Sequence, residues 1–160
     1  MTKPANTRNR AKKAEREVQQ YLWPGTIFSG HAKRPALEDC DVRGEDRDGW
    51  PIWGEVKNYS PATTQSEGGP YMVLLKAYVQ SQEAIERNPQ DWPGDSSGKW
   101  AALGYPMRPH SFAVLWPKGS RIDEQRLVMY ALPGREEPVV MTLAQFRAWV
   151  VGTPAEESAA

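Results

Sequence analysis

The chain has one cysteine, no long apolar run and no formal net charge across its 160 residues. A single cysteine, Cys40, excludes an internal disulfide. No stretch has the length and apolarity of a signal peptide or a membrane span, which predicts a cytoplasmic protein. A net charge of zero gives no sign of an acidic partner, so any such partner must be recognised through local patches.

The charges lie unevenly along the chain. Five basic residues precede the first acidic residue, Glu15, and two acidic residues lie close to the C-terminal end. At this length we expect one domain over residues 1–152, with a basic N-terminal arm over 1–9 and a flexible tail over 153–160. Such an arm either extends a DNA-binding surface or only increases solubility.

Hydrophobic periodicity predicts a mixed sheet with helices. Apolar residues recur at helical spacing before Pro24 and Gly25, and Thr142 is placed to cap a last helix. The predicted helices cover 8–22, 71–87 and 142–151. The predicted strands are 26–31, the two strands of a hairpin within 39–59, 111–117 and 126–132. The order αβββαββα indicates an α/β or α+β fold, with a long loop at 88–110 that is rich in proline and glycine.

The sequence DRDGW, residues 46–50, has the composition of a three-residue hairpin connection. Asp46 is favoured at the start of a type I turn, and Gly49 suits the left-handed position that follows. If Asp46 faces Trp50, the register of the whole hairpin is fixed.

This register places Asp41 opposite Glu55, and Asp39 opposite Lys57. Side chains alternate between the two faces of a strand, so the hairpin is predicted to have one core face and one polar face. The core face holds Cys40, Val42, Ile52 and Val56. The polar face holds Asp39, Asp41, Arg43, Trp53, Glu55 and Lys57. Cys40 is therefore expected to be buried and not to act as a nucleophile.

Two carboxylates directly opposite each other destabilise a strand pair by roughly 0.2–1 kcal/mol. A cation between Asp41 and Glu55 would offset that cost, because Mg²⁺ takes one or two carboxylates plus other oxygens, to which the Val56 carbonyl could contribute. Lys57 would hold or polarise a water aimed at phosphorus, as in metal-assisted phosphodiester hydrolysis. The alternative is a charged face in water, on which Lys57 and Asp39 form an ordinary ion pair.

A resemblance favours the metal site over the charged face. The pattern consists of Asp41, 13 intervening residues and Glu55-Val56-Lys57 across a hairpin, after a helix with Glu15-Arg16-Glu17 and the loop SGHAKR at 29–34. It resembles the PD-(D/E)XK nuclease superfamily, and within it the Holliday-junction-resolvase-like enzymes of archaeal and phage type. The likeness covers roughly residues 10–60, and the later elements only by their order.

The resemblance implies a restriction-endonuclease-like mixed sheet flanked by helices, and a nuclease that depends on Mg²⁺ or Mn²⁺. It implies that Asp41 and Glu55 bind the metal, that Lys57 activates water and that a glutamate of the first helix supports the site. Helical geometry places Glu15 nearer the apolar stripe than Glu17, which favours Glu15, although a solvent-exposed Glu15 is the alternative. A phage-encoded enzyme of this type would act in the host cytoplasm.

Local basic residues are the candidate contacts to DNA phosphates, namely Lys33, Arg34, Lys12 and Lys13. We therefore predict a homodimeric endodeoxyribonuclease that resolves branched DNA, with the aromatic-rich 88–110 loop as part of the dimer interface. In that loop, Trp92 and Trp100 are expected to bury the loop or form an interface, rather than to stack on a base. The alternatives are a restriction-type or nicking endonuclease on duplex DNA, and a DNA-binding module that does not cut.

Overall fold

The computed structural model describes residues 3–26, 40–93, 107–116 and 126–152. The helices are α1 (Lys3–Leu22), α2 (Pro61–Ser66), α3 (Pro70–Arg87) and α4 (Leu143–Phe146), and α4 continues into a π-helical turn at Arg147–Val151. The strands are β1 (Val42–Glu45), β2 (Pro51–Lys57), β3 (His110–Leu115), β4 (Leu127–Tyr130) and β5 (Val139–Thr142). The predicted mixture of helices and strands is therefore confirmed.

The five strands form one mixed sheet in the spatial order β1-β2-β3-β4-β5. β2 and β3 run parallel, and the other neighbours are antiparallel. Parallel neighbours need a crossover connection, which α3 supplies between β2 and β3. Apart from Thr26, the predicted strand at 26–31 lies outside the described residues, so the restriction-endonuclease-like order stays a prediction.

Helices cover both faces of the sheet. On one face, α1 and α4 pack against a cluster that includes Ala14, Val18, Leu22, Val42, Ile52, Val56 and Phe146. On the other face, α3 packs against a cluster that includes Val73, Leu74, Ala77, Tyr78, Ala113, Leu115 and Met129. The first six residues of β2 are buried as a result. The alternative of a charged face in water is therefore wrong for β2 from Pro51 to Val56, whereas its Asp39–Lys57 ion pair stays a prediction because Asp39 lies outside the described residues.

Several elements differ from the predictions. α1 begins at Lys3 and not at residue 8, with Pro4 in the first turn where its missing N–H is not needed, so residues 3–9 are helical. α2 and β5 were not predicted, because six and four residues are too few to show a period. Thr142 caps α4 as predicted, in a reciprocal pair with Gln145. Among the described residues, no helix combines the length and apolarity needed to cross a membrane.

Candidate active site

The turn of the β1–β2 hairpin sets the geometry of the site. The Asp46 N–H donates to the Trp50 carbonyl at 2.8 Å, and Gly49 has a φ of 87°, in the left-handed region that favours glycine. The strand register pairs Val42 with Gly54, Arg43 with Trp53, Gly44 with Ile52 and Glu45 with Pro51. The predicted register is confirmed, and it directs Asp41, just before β1, toward Glu55 on β2.

Helix α1 is held to the outer edge of β1 by the side chain of Gln19. Its Nε2 donates to the Arg43 carbonyl at 2.8 Å, and its Oε1 accepts from the Arg43 N–H at 3.1 Å. The Trp23 indole donates to the Glu45 carbonyl at 2.9 Å, two residues further along the edge. Glu15 lies one turn before Gln19 on the same face of α1, so this docking brings Glu15 to the open end of the hairpin.

At the open end, the side chains of Asp41 and Glu55 are hydrogen-bonded to each other. Asp41 Oδ2 also accepts from the Val56 N–H at 2.9 Å. Burial, the charge of Asp41 and this hydrogen bond together raise the pKa of Glu55 to about 9, against the opposing charge of Lys57. Glu55 therefore holds a proton at neutral pH, which lets the two carboxyl groups share the site.

Glu15 is the third carboxyl group of this cluster. Its side chain is 7% exposed, whereas Glu17 is fully on the exposed side of α1. Burial and the charge of Asp41 raise the pKa of Glu15 to about 8, against the opposing charges of Lys12 and Lys57. Of the two glutamates considered from the sequence, Glu15 is the one that lies close enough to interact with the Asp41–Glu55 pair.

The backbone at the end of β2 places two further groups at the cluster. The Lys57 carbonyl accepts from the Trp116 N–H at 2.8 Å, on the β3 side of the strand. Successive carbonyls of a strand point to opposite sides, so the Val56 carbonyl points toward β1, where Asp41 lies. The Val56 carbonyl and Asp41 therefore lie on the same side of β2, and the Lys57 side chain acts electrostatically on both Glu15 and Glu55.

Cys40 lies on the opposite face of the sheet from the one predicted. It packs with Trp53 beneath α3, and its Sγ lies 3.7 Å from Ser81 Oγ. Strict alternation fails here because β1 begins only at Val42, after a bend at Asp41. The predicted burial is confirmed, since Cys40 is 1% exposed, and burial raises the pKa of its thiol to about 12. Trp53, predicted to lie on a polar face, is 3% exposed because α3 covers that face of the sheet.

The predicted DNA contacts fall only partly within the described residues. Lys33 and Arg34 lie outside them. Lys12 and Lys13 are exposed on α1, and Lys12 is close enough to Glu15 to lower its pKa. Of these two lysines, Lys12 therefore lies near the carboxylate cluster.

The described ends of the 88–110 loop pack against their own chain. The Trp92 indole donates to the Ile85 carbonyl at 2.9 Å, and its ring joins the cluster around Cys40. Met107 is 2% exposed. Of the two roles predicted for Trp92, its partly buried ring fits the burial of the loop, whereas Trp100 and the other residues of 94–106 lie outside the described residues.

A groove with a volume of about 180 Å³ opens beside Lys57. It is lined by Lys57, Tyr59, Glu67, Val73, Lys76 and Gln80. Sequence reasoning missed it, because helical spacing shows that Lys76 and Gln80 share one face of α3 but not that this face lies beside the end of β2. The parallel β2–β3 crossover brings them there.

The fit of a metal ion depends on the Asp41–Glu55 pair. Across the described ranges, no three His, Cys, Asp or Glu side chains form a ready-made ligand group. Mg²⁺ does not need three, because it is commonly held by one or two carboxylates with water and phosphate oxygens in the other positions. Asp41 and Glu55 are hard oxygen donors, and a divalent cation would take the place of the proton that now lies between them, so the residues present fit Mg²⁺ or Mn²⁺.

No protein-family model, curated protein or solved structure matches this chain.

Proposed function

We propose that the chain is a metal-dependent endodeoxyribonuclease that hydrolyses phosphodiester bonds in branched DNA. The observation that carries this proposal is the convergence of Asp41, Glu55, Glu15 and Lys57 at one end of the hairpin, where burial and the charge of Asp41 raise the pKa of both glutamates. Two buried carboxyl groups and a half-buried one beside a single lysine are costly to maintain for stability alone. Such perturbed groups cluster at functional sites.

Asp41, Glu55 and the Val56 carbonyl would hold the Mg²⁺ or Mn²⁺ ion. When bound, this ion would supply positive charge to the phosphate oxygens and to the departing oxygen. The pair is hydrogen-bonded before any ion is present, so little rearrangement is needed to bring both carboxylates to one cation. Ion binding and proton release from Glu55 are therefore linked.

Lys57 is the residue that would position the attacking water. Its ammonium group lies at the edge of the cluster, where it would hold the water and stabilise negative charge that develops at phosphorus. Hydrolysis joins the water oxygen to phosphorus, breaks one P–O bond and leaves a water proton on the departing hydroxyl. Glu15 acts through its neighbours, as a positioning residue that interacts with both Asp41 and Lys57.

The test is a gel with labelled four-way junction, linear duplex and single strand, each with and without Mg²⁺. We expect Mg²⁺-dependent cuts in the junction. Cuts in linear duplex alone would favour a restriction-type or nicking endonuclease. Tight binding without any cut in Mg²⁺ or Mn²⁺ would contradict the enzyme and favour a non-cleaving DNA-binding module.

A homodimer is the expected working form, because resolving a junction needs two cuts on symmetry-related strands and each chain carries one carboxylate cluster. Apolar side chains exposed on the described surface offer candidate contacts: Trp149 at 58%, Val139 at 43%, and Leu132 and Val140 at 40%. We propose these side chains as dimer contacts instead of the described ends of the 88–110 loop, because those ends pack on their own chain. Light scattering in moderate salt tests this, and a strict monomer with and without junction DNA would favour the nicking enzyme.

A further inference from the structure

The groove beside Lys57 has the character of an anion site. Val73, Lys76 and Gln80 follow one another at intervals of three and four residues along α3, so they form one wall of the groove. Tyr59, two residues beyond the end of β2, also lines the groove, and it packs against the apolar cluster beneath α3. The walls are therefore set by packed elements, and polar groups line the opening.

The charges of this groove favour a negatively charged occupant. Lys57 and Lys76 contribute two ammonium groups against the single carboxylate of Glu67. Gln80 and Tyr59 add side chains that can donate hydrogen bonds to oxygen. Lysine binds phosphate as a point charge and needs no fixed orientation, which suits an exposed side chain such as Lys76.

We propose that this groove binds the DNA phosphate adjacent to the one that is cut, with Lys76 as the principal contact. The inference rests on the proposed nuclease function, because Lys57 belongs to both the carboxylate cluster and the groove. A strand whose scissile phosphate lies at Lys57 continues into the groove, where its next phosphate meets Lys76. The groove thus sets the path of the DNA strand, a role that phosphate contacts fulfil without reading sequence.

A contact of this kind has a kinetic signature that separates Lys76 from Lys57. Lys76 would hold a phosphate that does not react, so it binds substrate and transition state equally. Its loss raises KM and leaves kcat nearly unchanged. Lys57 acts at the reacting phosphorus, so its loss lowers kcat.

The experiment measures binding of labelled junction and duplex to Asp41→Asn protein in Mg²⁺, alone and combined with Lys76→Ala or Lys76→Arg. Loss of one phosphate contact weakens binding roughly 5-fold at 0.15 M salt and reduces the slope of log K against log salt by about 0.7–0.9. We expect both effects in Lys76→Ala and neither in Lys76→Arg, which keeps the charge. Arg87→Ala is the matched control, because Arg87 is an exposed cation in the last turn of the same helix.

A second measurement pairs the protein with modified DNA. Once the cut position is mapped, a neutral methylphosphonate at the adjacent phosphate should weaken binding to protein with Lys76 and cause little further loss with Lys76→Ala, since both changes remove the same contact. Two results would overturn the groove proposal alone, provided that protein with native Lys76 binds DNA and the wild type cuts it. One is additive losses of binding from the two changes, and the other is an unchanged salt slope in Lys76→Ala. Wild-type protein that neither binds nor cuts DNA would overturn the nuclease proposal, and the groove with it.

Discussion

The two ends of the β1–β2 hairpin each hold an aspartate, in opposite electrostatic surroundings. At the turn, Asp46 Oδ1 accepts from the Asp48 N–H at 2.8 Å and from the Trp50 N–H at 2.9 Å, so its charge is balanced by local backbone donors. At the open end, Asp41 has a backbone donor from Val56 but also faces Glu55. One aspartate stabilises the fold through its local bonds, and the other creates an electrostatic cost that a ligand would relieve.

Carboxylates that support the fold and carboxylates of the candidate active site differ in their surroundings. A structural carboxylate finds hydrogen-bond donors within its own turn, whereas the open-end group is surrounded by other carboxyl groups. Substitutions at the two ends should therefore have opposite effects on stability and activity. The predictions below test that contrast.

The largest expected effect is on cleavage. Asp41→Asn removes a ligand charge and not a phosphate contact, so we expect junction cleavage to fall at least about 100-fold with DNA binding largely retained. Asp46→Asn is the matched control, because asparagine can still accept from the turn, and it should cleave at the wild-type rate. Full activity in Asp41→Asn would place the active site elsewhere.

The second effect is stabilisation by metal. A ligand that binds only the native state at a concentration 100-fold above its Kd adds about 2.7 kcal/mol, which raises Tm by about 5–10 °C for a chain of this size. We expect this shift with Mg²⁺ in the wild type and not in an Asp41→Ala, Glu55→Ala double variant. Equal shifts in both proteins would show that the ion binds at another position.

The third effect concerns the turn. Asp46→Ala removes the acceptor of two backbone N–H groups, so it should lower the free energy of unfolding by about 1–2 kcal/mol. Chemical denaturation in the presence of EDTA measures this. Asp41→Ala under the same conditions should cost less, because it loses one backbone hydrogen bond, from the Val56 N–H, and also removes the charge that raises the pKa of both Glu15 and Glu55. A larger loss for Asp41→Ala would reverse the assignment of structural and functional aspartates.

The smallest expected effect is on pH dependence. Between the ordinary glutamate pKa of 4.5 and the folded values of about 8 for Glu15 and 9 for Glu55, the folded chain holds protons that the unfolded chain has released. The stability of the metal-free protein should therefore fall as pH rises through this window. Glu55→Gln should make the decline shallower and raise Tm at pH 8 by a few degrees, roughly 2–4 °C per kcal/mol. Glu17→Gln, on the exposed side of α1, should follow the wild-type curve.

Much of the site could be predicted because turn chemistry is local. Asp46 and Gly49 define the connection, the connection defines the register, and the register brings Asp41 to Glu55. Helix phase then selects Glu15. Each step depends on residues close together in sequence, where propensities are strong.

What could not be predicted depends on packing between distant elements. The coverage of Trp53 follows from α3, which the sequence shows as a helix but does not place. The reversed position of Cys40 follows from the bend at Asp41, which strict alternation does not anticipate. α2 and β5 are too short to produce a pattern, and the groove at Lys76 exists only because α3 lies beside the end of β2. These features need the tertiary structure.

The pairing of Gln19 with both backbone groups of Arg43 makes α1 a substitute for a neighbouring strand. Unpaired strand edges are templates for intermolecular β-pairing, and proteins protect them by covering them. A shortened chain without α1 would lose Glu15 and also leave the Arg43 N–H and carbonyl without their Gln19 partner. The expected product of such a truncation is a chain that assembles edge to edge into aggregates, and not a smaller independent domain.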